Sequence, residues 1–177
     1  MNEVLFYDVD CLNSFFLTKQ TFILRKLFKK IIIPQQVYDQ FKKADNIAYI
    51  QMIKQFVDED FIDIVDIDVL SKEHMTYKSF LNGSYKCKCA GKVEAIALAL
   101  AIHKHMVLAT NDIEDIYETI TEYNIQHICT ADIINEAVLN NIITLADAES
   151  IWLSIKSLGC NLKTCTYSQY RDLICAD

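Results

Sequence analysis

Carboxylates follow two apolar segments of the chain, and another interrupts an apolar helix. Asp8 and Asp10 lie near the end of the segment VLFYDVDCL, and Asp112 follows the segment MVLAT. Glu94 lies within GKVEAIALALAI, which is apolar on almost every side. Carboxylate oxygens brought together from separate elements are ligands for hard cations such as Mg²⁺. These residue types therefore predict a metal site.

The helix that carries Glu94 is predicted to run from Gly91 to about Ile102, and its apolar surface predicts a place in the protein interior. A buried carboxylate without a partner is costly, so we expect Glu94 to meet hydrogen-bond donors, a proton or a cation.

The remaining apolar patterns alternate between strand and helix spacing, which predicts a three-layer α/β/α sandwich with a mainly parallel sheet of four to five strands. Strands are predicted at 3–9, 31–33, 61–67, 106–110 and 125–129. Helices are predicted at 11–28, 34–44, 47–57, 70–81, 91–102, 113–123, 131–140 and 145–158, with one further turn at 168–173. Ligands of parallel sheets bind beyond the carboxyl ends of the strands, where Asp8 and Asp112 lie.

The composition describes one globular domain over residues 1–177, with 52% hydrophobic and 23% charged residues. No apolar run approaches the ~20 residues that span a bilayer, and no leader-like segment is visible, so we expect a cytoplasmic protein without membrane contact. The seven cysteines are an odd number and are predicted to be free thiols. Cys87 and Cys89 are separated by one residue, which is not typical zinc-site spacing.

The formal net charge of −7 is concentrated in one place, since six acidic residues lie in segment 58–68, which has no Lys or Arg. A basic block lies earlier, at Arg25, Lys26, Lys29, Lys30, Lys42 and Lys43, and another lies just before the central helix, at Lys86, Lys88 and Lys92. The overall charge argues against non-specific nucleic-acid binding, whereas this local pattern still permits it.

Four segments, in this order, resemble the motifs of the PIN-domain nucleases. They are DVDCL at 8–12, IPQQVYDQF at 33–41, GKVEAIALA at 91–99 and TND at 110–112. The resemblance covers roughly residues 3–130, and the helices at 131–177 are similar to extensions seen on some members.

This resemblance implies a PIN-like fold and a Mg²⁺- or Mn²⁺-dependent endoribonuclease, often the toxin of a toxin–antitoxin pair (VapC-like type). Asp8, Glu94 and Asp112 match the family's first, third and fourth acidic positions, and Asp115 would be an accessory ligand. The implied partners are an RNA substrate, a small antitoxin protein and a second copy of the chain.

Other residues near these motifs have candidate supporting roles. Asp10 lies where the family often has Asn or Ser, which orient the ligands, and Thr110 and Asn111 belong to the fourth motif. Lys92, at the start of the central helix, is a candidate phosphate contact.

The chain departs from the family at the second motif, where the family's Glu falls on Gln40 and Asp39 stands beside it. A neutral Gln is a poorer magnesium ligand, so either Asp39 substitutes or the site holds a cation weakly.

Two other functions remain open. One is a PIN-like module with a weakened site that acts by binding a protein, which Gln40 favours. The other is a phosphatase of the haloacid-dehalogenase type, which Asp8-Val9-Asp10 resembles, although Leu12 continues directly into a predicted helix. The alternative to a metal site is a structural role for these residues. Asp8 and Asp112 would then be helix caps, and Glu94 would be a core carboxylate whose hydrogen bonds are all made.

Overall fold

The computed structural model describes residues 3–6, 9–43, 47–83, 91–112, 114–160, 162 and 164–174, without the side chains of residues 3, 9, 43, 48 and 115. In this part of the chain, five parallel strands form one sheet in the order β3-β2-β1-β4-β5. The strands are β1 (Glu3–Phe6), β2 (Lys30–Pro34), β3 (Ile62–Val65), β4 (Val107–Ala109) and β5 (His127–Ile128).

Helices cover both faces of this sheet, which confirms the predicted α/β/α sandwich. The first four are α1 (Val9–Leu17), α2 (Thr21–Leu27), α3 (Gln35–Lys43) and α4 (Ile47–Asp58). The next three are α5 (Lys72–Leu81), α6 (Lys92–Lys104) and α7 (Tyr117–Glu122), with a 3₁₀ turn at Glu114–Ile116 before α7. The last three are α8 (Thr130–Leu139), α9 (Leu145–Ser157) and α10 (Tyr167–Ile174).

Strand order changes direction at the middle of the sheet. The chain builds outward from β1 through β2 to β3, then crosses back to β4 and continues to β5. Phe6 at the end of β1 pairs with Ala109 at the end of β4, so these two carboxyl ends are neighbours. This is the topological switch point, where open α/β sheets bind their ligands.

The central helix α6 lies in the interior, as the sequence predicts, and every residue from Ala95 to Ala101 is buried. It contacts α5 as well as β2 and β4. It ends later than predicted, with His105 in the left-handed region at φ 52°. Since α6 returns the chain to the start of β4, its first turn lies towards the carboxyl edge of the sheet.

The single helix predicted at 11–28 is wrong, because α1 and α2 are separate. Lys19 adopts φ 58°, and the Gln20 amide donates to the Phe15 carbonyl at 2.8 Å. This is the left-handed ending of a Schellman motif. The Thr18 hydroxyl also donates to the Ser14 carbonyl at 2.6 Å, a side-chain bond that competes with helix continuation.

Two boundaries near the candidate motifs also differ from the prediction. Val9 begins α1 and does not continue β1, while residues 7 and 8 of the predicted strand lie outside the described part. Pro34 pairs with Val65 as the last residue of β2, and α3 starts one residue later. The fixed φ of proline suits either position, so the sequence does not separate them.

The helices α8, α9 and α10 pack together, and α8 also contacts α2. The predicted cap of α9 is confirmed, since the Asp147 amide donates to the Thr144 hydroxyl at 3.1 Å and the Thr144 amide donates back to the Asp147 carboxylate at 2.9 Å. The tail forms a helix of two turns where one turn was predicted. The rings of Tyr167 and Tyr170 lie 5.8 and 5.3 Å from the Trp152 ring.

No helix in the described part of the chain is long and apolar enough to cross a membrane. Cys11, Cys129, Cys160 and Cys165 are free thiols. The other three cysteines, including the Cys87 and Cys89 pair, lie outside the described residues.

Candidate active site

The loop after β4 carries Asp112 and is held by its own hydrogen bonds. The Thr110 side chain is fully buried, and its amide donates to the Ile128 carbonyl at 3.0 Å. The Thr110 hydroxyl donates to the Asp112 carbonyl and accepts from the Asp112 amide, both at 3.0 Å. The backbone of Asp112 is therefore fixed, while its side chain is exposed at the carboxyl edge.

Glu94 lies in the first turn of α6, at the helix end where unpaired amides favour negative charge. It is half-buried, which corrects the expectation of a fully buried carboxylate. The carboxylate lies against Gly91, where an added Cβ would overlap it. The glycine at the start of α6 thus leaves room for the acidic group.

The structure describes part of the predicted ligand set. Asp8 and the side chain of Asp115 lie outside the described residues. Asp10 is exposed in the first turn of α1. Among the residues that are described, no group of three or more His, Cys, Asp or Glu side chains is arranged to hold a metal ion.

Asn111 joins the Asp112 loop to the start of α8. Its Oδ1 accepts a hydrogen bond of 2.9 Å from the Thr130 amide, the first residue of that helix. The fully buried Thr130 hydroxyl also donates to the Cys11 sulfur at 3.4 Å. The start of α8 is therefore bonded both to the loop after β4 and to α1.

The second motif forms α3, with Val37 and Phe41 buried. Asp39 lies on the helix side away from these residues; it accepts from Gln35 Nε2 at 2.9 Å and pairs with Lys42 Nζ at 2.6 Å. Gln40 is exposed and flanks the buried face. Adjacent helical residues diverge by ~100°, so the two side chains point in different directions.

Two basic residues of the early block pair with carboxylates of the acidic segment 58–68. Lys30 Nζ lies 2.8 Å from Asp60 and 3.1 Å from Asp63, and these carboxylates raise the pKa of Lys30. Arg25 pairs with Glu59. These ion pairs support a structural role for Lys30 and Arg25. Lys92, by contrast, is exposed at the start of α6.

Asp132 is a polar residue that the sequence patterns missed, and it lies in the first turn of α8. Asp132 Oδ2 accepts from the Cys129 amide at 2.8 Å, and its Oδ1 accepts from the Tyr170 hydroxyl. Burial raises the pKa of the Cys129 thiol to about 11, with Asp132 adding to the effect. An acidic residue three positions after Cys129 resembles the second half of a capping box, but the first half is normally Ser or Thr.

The fold and these positions define an α/β/α protein with acidic side chains near the switch point of a parallel sheet. A family model described as PIN domain matches residues 5–174. The chain therefore belongs to the PIN-domain family, and the match includes α8, α9 and α10. PIN domains are generally nucleases and typically use divalent metals, which supports a nuclease-type function, that is, a hydrolase acting on nucleic acid. A search of curated proteins gave no significant match.

Proposed function

We propose that the protein is a Mg²⁺- or Mn²⁺-dependent endoribonuclease whose metal ligands are Asp8, Glu94 and Asp112. The observation that carries this proposal is the pairing of Phe6 with Ala109 at the neighbouring carboxyl ends of β1 and β4. Adjacent strands lie ~4.8 Å apart. Asp8 follows Phe6 by two residues and Asp112 follows Ala109 by three.

The donor types suit a hard cation. Glu94 and Asp112 offer carboxylate oxygens, and Asp112 is open to solvent. Mg²⁺ in nucleic-acid enzymes is typically held by one or two carboxylates together with waters and substrate phosphate oxygens. When bound, such an ion lowers the pKa of a water and neutralises phosphate oxygens.

The residues of this chain have distinct tasks in that reaction. Asp112, fixed through the Thr110 hydroxyl, supplies a ligand that is positioned before the substrate arrives. Lys92, exposed near Glu94, attracts the phosphate backbone of RNA. In this proposal Asp10 orients the ligands and Asp115 is an accessory carboxylate ligand.

A weakened site that serves protein binding is the second candidate, and the contacts of Asp39 favour it. The Asp39 carboxylate is engaged with Lys42 and Gln35, and Gln40 carries no charge. If neither residue reaches the cation, the site has three carboxylates and lower affinity for metal.

We extend the proposal to a toxin of a toxin–antitoxin pair, supported by the resemblance of the motifs at 8–12, 91–99 and 110–112 to the PIN-domain nucleases, which are often the toxin of such a pair. Its partners would be a small antitoxin and a second copy of the chain. Expression of the protein without an antitoxin should arrest the growth of the host cells, and Asp112→Asn should relieve the arrest. Equal arrest by both proteins would contradict this role.

Cleavage of total RNA with and without EDTA tests the activity. We expect Mn²⁺-dependent fragmentation that EDTA abolishes and that Asp112→Asn reduces at least about tenfold. The matched control is Asp58→Asn, which removes the same charge from an exposed position at the end of α4, at the opposite edge of the sheet. Cleavage that resists EDTA, or equal loss in both variants, would contradict the proposed function.

A further inference from the structure

Hydrogen bonds, joined by links between neighbouring residues of the chain, connect the C-terminal helix to the Asp112 loop. The Tyr170 hydroxyl on α10 donates to Asp132, and Asp132 accepts from the Cys129 amide at 2.8 Å. One residue later, the Thr130 amide donates to Asn111 at 2.9 Å. Asn111 stands next to Asp112 in the chain.

Both ends of this connection are anchored in packed structure. Tyr170 is 6% exposed, and its ring lies 5.3 Å from the Trp152 ring. At the other end, Thr110 is fully buried and bonds the backbone of Asp112 in both directions. A shift of Asp132 would therefore change the start of α8, and the start of α8 holds the loop.

We propose that Tyr170 is a positioning residue, which acts through Asp132, Thr130 and Asn111 to hold Asp112 in place for metal binding and RNA cleavage. Its role in catalysis rests on the proposed function of the site, whereas its role in fixing the loop does not. The C-terminal helix thereby becomes part of the active-site support.

The protonation state of Tyr170 favours a stable hydrogen bond to Asp132. Burial raises the pKa of the Tyr170 hydroxyl, and its bond to Asp132 raises it further. The hydroxyl thus stays protonated and donates to the carboxylate throughout the physiological pH range. Hydrogen bonds to a charged acceptor are shorter and stronger than neutral ones.

Tyr170→Phe removes the hydroxyl and keeps the ring against Trp152. The chain offers a closely matched control in Tyr167→Phe on the same helix. The Tyr167 ring also packs on Trp152, at 5.8 Å, and its hydroxyl donates to Asn135 at 2.9 Å. Asn135 lies in the second turn of α8, so the control removes a similar bond that does not lead to Asn111.

A second pair of variants changes Asp132 itself. Asp132→Ala removes both acceptors. Asp132→Asn keeps the shape; its amide oxygen accepts from the Cys129 amide and its NH₂ donates to the Tyr170 oxygen. We expect Asp132→Asn to restore most of what Asp132→Ala loses, and equal defects in the two variants would contradict a role through this contact.

Two readouts on the full-length variants separate loop position from activity. Amide hydrogen exchange by NMR should show faster exchange at Thr130 and Asp112 in Tyr170→Phe than in Tyr167→Phe. With RNA, Tyr170→Phe should lower kcat about tenfold while KM changes little, since small displacements of a catalytic group act mainly on the chemical step. Tyr167→Phe should leave kcat within about twofold of the original protein.

Each outcome bears on a different claim. If the unaltered protein cleaves no RNA but exchange at Asp112 still rises in Tyr170→Phe, the proposed function fails and the positioning of the loop stands. If the two Phe variants show the same exchange at Thr130 and Asp112, the positioning role of Tyr170 is overturned, whatever the activity.

Discussion

The carboxylate of Glu94 lies against the Cα of Gly91, in the space that a β-carbon at position 91 would occupy. Gly91 has φ −157°, extended backbone that any residue adopts, so space and not backbone freedom explains the glycine. The start of α6 therefore links a residue without a side chain to the orientation of a candidate metal ligand.

Gly91→Ala should displace the Glu94 carboxylate with little change in stability, because the far end of a flexible side chain moves easily. We expect a loss of cleavage rate of about tenfold and a melting temperature close to that of the original protein. The control is Gly159→Ala, where φ is +85° and nothing lies within 4 Å of the added carbon. That variant should lose about 1 kcal/mol of stability and keep its activity. Reversed effects in the two variants would refute the role of Gly91.

The second acidic position distinguishes Asp39 from Gln40. Since Asp39 is engaged with Lys42 and Gln35, we expect Asp39→Ala to keep most Mn²⁺-dependent cleavage. Gln40→Glu should tighten Mn²⁺ binding, because an added ligand charge strengthens attraction in a partly dry site. Calorimetric titration with Mn²⁺ measures the affinity of Asp39→Ala, Gln40→Glu and Gln40→Ala, and RNA cleavage measures their activity. If Asp39→Ala alone abolishes cleavage, Asp39 is the compensating ligand.

The Cys129 thiol should react slowly in the folded protein. Its pKa is raised from 9.0 to about 11, and the thiolate is the reactive form. Alkylation by iodoacetamide at pH 8 should therefore be at least about a hundredfold slower than in the guanidinium-unfolded chain. The neutral thiol favours the folded state below pH 9, and this contribution is lost as pH rises towards 11. Peptide mass spectrometry over time gives the rate, and equal rates in both states would contradict the raised pKa.

Patterns within one segment of the sequence predicted the elements that depend on residues close together in the chain. The apolar surface of α6 identified a buried helix, and Thr144 with Asp147 identified the start of α9. Strand and helix alternation then predicted the sheet. The break between α1 and α2 was missed because both helices bury apolar residues in one core, so the pattern continues across Lys19.

Contacts between distant segments were not visible in the sequence. Tyr170 and Asp132 are 38 residues apart, and Thr130 and Asn111 are 19 apart, so neither pair leaves a spacing signal. The exposure of Glu94 also depends on which elements surround the first turn of α6. The acidic residues were found from their places after strands and in an apolar helix and from the family motifs, whereas the bonds from α8 and α10 towards the Asp112 loop emerge only from the packed structure.

Binding of Mn²⁺ tests the central claim most directly, because it concerns the ligands without the complications of substrate choice. Mn²⁺ affinity is measured by titration calorimetry for the original protein, for Asp8→Asn, Glu94→Gln and Asp112→Asn, and for the control Asp58→Asn. We expect one site in the original protein, a loss of affinity of about tenfold or more in each of the three ligand variants, and no change in the control. Unchanged affinity in the three ligand variants, or no Mn²⁺ binding by the original protein, would contradict a metal site formed by Asp8, Glu94 and Asp112.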